Sequence, residues 1–296
     1  RLYRMCTDQD YNTAFPAGAD KMVWYKDAGE VAMHSAPEDT GKDLALSFRS
    51  STFGSGSHTT ASQNAFNLLY KGVDVYRSTG YYQNFSDAHN LMSYRHTRAH
   101  NSLLVNGIGQ PYSTEGYGSV MRAMGGQHIS YCLGDASHAY RGISNDPMWV
   151  GYFKQAGIEQ TPENGFGATP LTKYRRHVLM LHPHTVIVYD ELEASEAVRW
   201  EWLLHSPTEF KMGAELDYMF NVSTFIAGYN PGRMFEVSTV SGLGYQLAFL
   251  EKQSAHVGEF HLGLQFRLHT SPSFDFYLEP RAMIQTDGMS RMIQHN

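Results

Sequence analysis

The residues of this 296-residue chain with the most obvious chemical potential fall early in it. His58 stands in a Gly/Ser-rich stretch, Ser50–Thr60, just after Gly54 and Gly56. Downstream come Asn64, the pair Tyr81-Tyr82 directly after Gly80, and the run Tyr94 to His100, which holds His96 and Arg98. Imidazole and phenol are side chains that give and take protons in general acid–base catalysis. Arg98 offers a planar fork for a carboxylate or sulfate, while Asn64, Tyr94 and His96 add donors, acceptors and aromatic faces. A loop of Gly and Ser lets an extended ligand approach the backbone closely. Taken alone, His58 is either a catalyst or a solvent-exposed, backbone-bonded imidazole, and the loop does not choose between them. A second basic cluster, Arg175-Arg176-His177, lies further on. Successive side chains of a strand face opposite ways, so only one of Arg175 and Arg176 can join a given site; Arg175 is the candidate. The same alternation splits Tyr81 from Tyr82.

The elements that must position these groups read as strands. Gly29–His34, Leu44–Arg49, Asn64–Tyr70, Val73–Tyr76 and Ser102–Val105 alternate in character or carry strand formers. Lys71-Gly72, Asn106-Gly107 and His182–Thr185 read as hairpin connections, the last joining Tyr174–Leu181 to Val186–Asp190. Ala197–Leu204, Phe235–Val240, Gly244–Leu250 and His261–Leu268 continue the pattern, and Thr97–Ser102 reads as a further strand. Only Pro147–Gln155 shows a weak helical stripe. The expected fold is all-β, a large antiparallel β-sandwich with long loops and at most one or two short helices. Ser50–Thr60, Gln83–Arg95 and Asn145–Thr172 are the long loops, and the last marks a candidate boundary between two lobes of one region covering residues 1–296.

Composition narrows the functions. Hydrophobic residues make up 42% and aromatics 13%, enough for an extended core. Net charge is −6 with Lys and Arg scattered, which argues against a nucleic-acid partner. The longest apolar runs, near Val178–Leu181 and Val186–Tyr189, fall far short of the roughly 20 residues that span a bilayer. Cys6 and Cys132 are too few for a disulfide framework, leaving one bridge or two thiols open. The chain opens at Arg1 with no signal-peptide pattern, as expected of a fragment or processed product.

From Leu44 to Gln110 the sequence resembles the heparinase II/III-like lyase domain. The family's His-x-His-x-Asp-Gln-Asn-Ser-Phe pattern, entered from a strand and a Gly/Ser loop, aligns without gaps on Leu46–Phe66, with His58 as its first His and Gln63-Asn64-Ala65-Phe66 as its end. Its Asp-Ser-Gly-Tyr-Tyr block is similar to Ser78-Thr79-Gly80-Tyr81-Tyr82, and its Thr-Arg-x-His-Asn block to Thr97-Arg98-Ala99-His100-Asn101. Tyr131–Tyr140, Tyr174–Val178, Val188–Leu192 and Trp202–His205 look like further family blocks. Such ordered blocks are more specific than one short motif. The positions that hold a structural zinc in many relatives are here Thr60, Ser78 and His100, a poor ligand set. The expectation is therefore no metal and no cofactor.

What the resemblance implies is β-elimination on an acidic, uronic-acid-containing polysaccharide such as a glycosaminoglycan or alginate. That reaction needs a base for the C5 proton, a group to neutralise the carboxylate and an acid for the departing oxygen. The implied catalytic residues are His58 and Tyr81; Asn64, Tyr82, Tyr94, His96, Arg98 and Arg175 are the implied substrate contacts. His100 reads as structural, with its family partners replaced. Relatives carry a helical toroid before the sandwich that contributes to the active site, and a toroid on the same or another chain is the implied partner. The family setting is periplasmic or secreted. A non-catalytic carbohydrate-binding or scaffolding module is the alternative, favoured by Thr60 and Ser78. A glycosidase would need a pair of carboxylates, which the motif region does not offer.

Overall fold

The computed structural model describes residues 18–81 and 84–206 and, beyond these, six strands between residues 236 and 291. Tyr82 and Cys6 lie outside the described residues. β1 (Met22–Tyr25), β2 (Glu30–His34), β3 (Leu44–Arg49), β4 (Ala65–Tyr70) and β5 (Val73–Tyr76) form a five-stranded meander in that order. A four-stranded sheet runs β12 (Glu236–Gly242), β13 (Tyr245–Gln253), β11 (Arg199–Ser206), β6 (Leu103–Val105). The six-stranded sheet runs β7 (Ser119–Gly125), β8 (Ile129–Asp135), β9 (Leu171–Leu181), β10 (Thr185–Ala194), β14 (Gly258–Arg267), β15 (Tyr277–Glu279). β16 (Ile284–Thr286) and β17 (Met289–Arg291) make a separate hairpin. All pairings between these strands are antiparallel. The fold is an all-β sandwich, and among the described residues one helix is longer than a single turn or two, α1 (Pro147–Ala156).

Local sequence explains the connections. Lys71 and Gly72 both take positive φ, 54° and 77°, the geometry of a type I′ turn, and close the β4–β5 hairpin. Asn106 and Gly107 do the same at 55° and 78°, bridging Val105 to Ile108. β3, β9 and β10 bury every second residue, so the alternation read from sequence is the real burial pattern. β1 and β7, absent from that reading, are edge strands with weak burial, and Met121 and Met124 of β7 are exposed. Met22 and Trp24 of β1 and Val120 and Ala123 of β7 pack against the core but are only partly buried.

Thr97–Ser102 departs from expectation. Thr97–Ala99 is a short 3₁₀ turn, because the His96 side chain accepts from the Arg98 N–H and caps it. Thr97 Oγ1 donates to Ala61 O at 2.8 Å and accepts from Gln110 N at 2.8 Å, which holds the turn in place. Only from Leu103 does β6 begin.

The inner faces of all three sheets meet in one core that includes Phe48, Phe66, Tyr174, Val178, Val188 and Trp202. At its centre is an ion pair. Arg176 on β9 and Asp190 on β10 are both fully buried and bond bidentately, 2.7 Å each. The remaining Arg176 donor reaches Asn64 O at 2.7 Å and Asn101 O at 2.9 Å, and Trp202 Nε1 donates to Asp190 at 3.0 Å. One pair therefore touches all three sheets or their entries.

Removing one partner of a buried pair leaves an uncompensated charge, at a cost of about 3–5 kcal/mol. Asp190→Asn is expected to lower the urea-denaturation free energy by that order, and the double variant Arg176→Met/Asp190→Leu by less. A single variant within about 1 kcal/mol of the parent would remove the pair from this role.

Candidate functional site

The loop between β3 and β4 carries His58, and its rigidity is built from polar side chains. Ser51 N donates to Gln63 Oε1 at 2.6 Å, and Gln63 Nε2 returns to Gly54 O at 3.0 Å. Gln110 closes a second exchange: its Oε1 accepts from Gln63 N at 2.8 Å and its Nε2 donates to Gln63 O at 3.1 Å. Ser55 Oγ donates to Pro111 O at 2.6 Å. Gly54, at φ 62°, lies so close to Ser113 O that a Cβ there would sit 2.3 Å away, so the approach of the two loops requires glycine.

His58 itself is exposed at the end of this braced segment. Its ring meets the edge of Phe85 at 5.1 Å between centroids, and Phe85 lies parallel to Tyr152 of α1 at 6.0 Å. α1 is held by an Asp146 cap that accepts from Met148 N at 2.8 Å, Pro147 in its first turn and Gly157 in the left-handed region at its end. Trp149 and Phe153 face inward from it, into a second apolar cluster with Tyr112 and Phe166. Arg95, fully buried, stacks on Trp149 at 4.2 Å and donates Nη1 to the carbonyl of Thr59, the residue after His58. Phe85, Arg95, Trp149 and Tyr152 were not among the candidates from sequence. The weak helical stripe over Pro147–Gln155 was the signal that could have found two of them.

The other candidates divide clearly. Tyr81 is 60% exposed and follows Gly80, which packs directly against the Tyr94 ring. Tyr94 is half-buried and meets His89 edge-on at 4.4 Å. His58 thus meets Phe85, and Gly80, the residue before Tyr81, meets Tyr94. Asn64 is not on this surface: it is fully buried, with Nδ2 directed at Gly134 O and Tyr174 O at 3.3 and 3.4 Å. Its expected place as a substrate contact does not fit that burial. His96 is likewise enclosed. Arg98 is tucked inward, donating Nη2 to Asn164 O at 2.7 Å and Nε to His96 at 3.1 Å. Arg175 lies on the outer face of β9, ion-paired with Asp135 at 2.8 Å, while Arg176 faces the core as alternation requires. The same outer face carries Tyr131–His177–Glu191, bonded in series at 2.8 and 3.1 Å.

The zinc positions of the family do not fit a metal in this chain. Thr60 Oγ1 bonds Ser62 at 2.8 Å, His100 is buried with Nε2 donating to Tyr94 O at 3.1 Å, and Ser78 offers only a hydroxyl. Among the described residues no group of three or more His, Cys, Asp or Glu could hold a metal ion. No described helix is long and apolar enough to cross a membrane.

Three buried imidazoles frame the turn next to the site. His96 Nε2 donates to Gly165 O, His100 to Tyr94 O, and His205 Nε2 to Arg98 O at 2.8 Å. Burial, aided at His96 by the Arg98 charge, pulls His96 down to about 3; burial pulls His100 to about 4 and His205 to about 3. In each case burial disfavours the charged form.

Residues 18–224 match the family model described as heparinase II/III-like, C-terminal. Among solved structures, one described as a heparinase III gene product superposes with a TM-score of 0.57 at 9% identity, covering 99% of this chain and 44% of that one. Heparan sulfate lyase HepC from Pedobacter heparinus gives 0.54 at 13% identity, again over 99% of this chain and 44% of its own. At these identities the likeness is one of fold. The chain spans less than half the length of either. No curated protein matches the sequence significantly.

The neutral histidines make acid stability predictable. Above pH 6.5 they are uncharged in both states and their contribution is complete; below it the unfolded chain gains protons that the fold excludes. Stability should fall from pH 6.5 towards 4 by up to about 1.4 kcal/mol per pH unit for each histidine. Urea denaturation at pH 7 and pH 5 checks this, and His205→Gln should shrink the difference. Equal stability at the two pH values would contradict the assignment.

Proposed function

Because the chain belongs to the heparinase II/III-like, C-terminal family, we propose that it takes part in cleaving an acidic, uronic-acid-containing polysaccharide by β-elimination. In that reaction a base removes the C5 proton, a C4–C5 double bond forms, the C4–O bond breaks and the departing oxygen is protonated. The observation that carries the reading is His58: an exposed imidazole on a loop otherwise pinned by buried hydrogen bonds, at the position of the family's catalytic His. His58 serves as a proton carrier at the reacting centre and the exposed Tyr81 as the candidate acid. The half-buried Tyr94 is the candidate substrate contact beside them, and Tyr82, the other tyrosine expected there, lies outside the described residues. The substrate class includes heparan sulfate, chondroitin and alginate, and the setting is periplasmic or secreted.

The group that neutralises the carboxylate is not supplied by the arginines first considered. Arg98 and Arg175 are committed to Asn164 O and Asp135. This favours a site completed by a helical toroid, on the same or another chain. It also gives weight to a second reading, that the sandwich alone binds sugar without cleaving it.

The test is absorbance at about 232 nm, where the unsaturated uronic product absorbs, on the three polysaccharides with the parent and His58→Ala. Loss of signal by roughly 100-fold or more in the variant is expected if His58 carries the proton. Undiminished cleavage by His58→Ala would overturn its role. Sugar binding with no cleavage, even with a toroid supplied, would establish the second reading.

A further inference from the structure

We propose that Arg95 is a positioning residue for His58, holding the imidazole through both its backbone and its ring. The inference rests on the reading of His58 given above. Arg95 is fully buried, and a cation is placed there only against strong compensation. Its guanidinium lies in an aromatic box, 4.2 Å from Trp149, 5.4 Å from Phe85 and 6.0 Å from Tyr112. Desolvated cation–π contacts of this kind are strong. From this box Nη1 donates to Thr59 O.

Two lines of contact run from this one group to His58. The first is the backbone: Thr59 is the next residue, and Ala61 N donates to Arg95 O at 2.9 Å two residues later. The second is the ring: Phe85, beneath the guanidinium, meets the imidazole edge-on at 5.1 Å. Arg95 thus fixes where the loop leaves its brace and what His58 packs against. Lysine cannot reproduce this, because an ammonium has no plane to stack and no fixed fork to aim at the carbonyl. Full burial keeps Arg95 from touching substrate, so it acts only through His58.

The experiment compares the full chain with Arg95→Lys, Arg95→Met and Trp149→Leu, each first checked for folding by circular dichroism and thermal melting. The His58 ring resonance, assigned with His58→Gln, is followed by NMR. In every folded variant the resonance should shift. In lyase assays kcat should fall roughly 10- to 100-fold with KM within about twofold, as expected when a reacting group is misplaced but binding is kept. A folded Arg95→Lys with an unmoved His58 resonance, or with unchanged kcat, overturns the proposal. If Arg95 variants fail to fold, Trp149→Leu decides by the same readouts. If the parent cleaves no polysaccharide, the proposed function fails while the NMR comparison still decides Arg95.

Discussion

The Arg176–Asp190 pair is the constraint on which the rest of the sandwich depends. Taking two charges out of water costs several kcal/mol per ion, and attraction alone does not return that. Here the remainder comes from geometry: two parallel bonds between the pair, two backbone carbonyls on the spare guanidinium nitrogen and the Trp202 indole on the carboxylate. Each of those extra partners belongs to a different part of the fold. Asn64 leads into β4, Asn101 leads into β6, and Trp202 is in β11. The pair's desolvation is compensated only when all three sheets are docked, so it specifies their arrangement more than it adds to stability.

From this hub the constraint passes to the site. Asn64, whose carbonyl is held by Arg176, has φ 59° and a side chain directed at β8 and β9, which fixes the end of the His58 loop. Asn101 accepts from His205 N at 2.7 Å and donates to Phe66 O at 2.9 Å, which fixes the far side of the 96–101 turn. Between these points Gln63, Gln110, Thr97 and Arg95 lock the loop to the turn. Most of the polar residues in the motif blocks therefore serve as internal struts, and the exposed imidazole is what they deliver to the surface.

This explains what the sequence revealed and what it withheld. β3, β9 and β10 were legible because burial on one face imposes a period of two, and the same logic separated Arg175 from Arg176. Edge strands β1 and β7 bury no residue fully, so their imprint is weaker. The loops have no period at all, so the blocks that identify the family could not say which of their residues point inward. Asn64, His96 and Arg98 read as ligands by type, yet their partners are backbone carbonyls supplied by later loops and strands and, for Arg98, the neighbouring His96 ring as well. Arg95 was invisible for the same reason: its box is assembled from Phe85, Tyr112 and Trp149, which nothing in local spacing brings together.

The distribution of charge has a consequence for the proposed reaction. Burial disfavours the charged forms of His96, His100 and His205, whereas His58 and Tyr81, which the proposed reading assigns to proton transfer, are exposed. Three of the arginines have partners within the fold: Arg95 its aromatic box and Thr59, Arg98 Asn164, and Arg175 Asp135. Abstracting a proton beside a carboxylate requires positive potential where the enolate charge develops, and preorganised donors supply it best from a dry cleft. On the proposed reading, the buried Arg95 leaves that task to an opposing wall or to exposed cations such as Lys154 of α1.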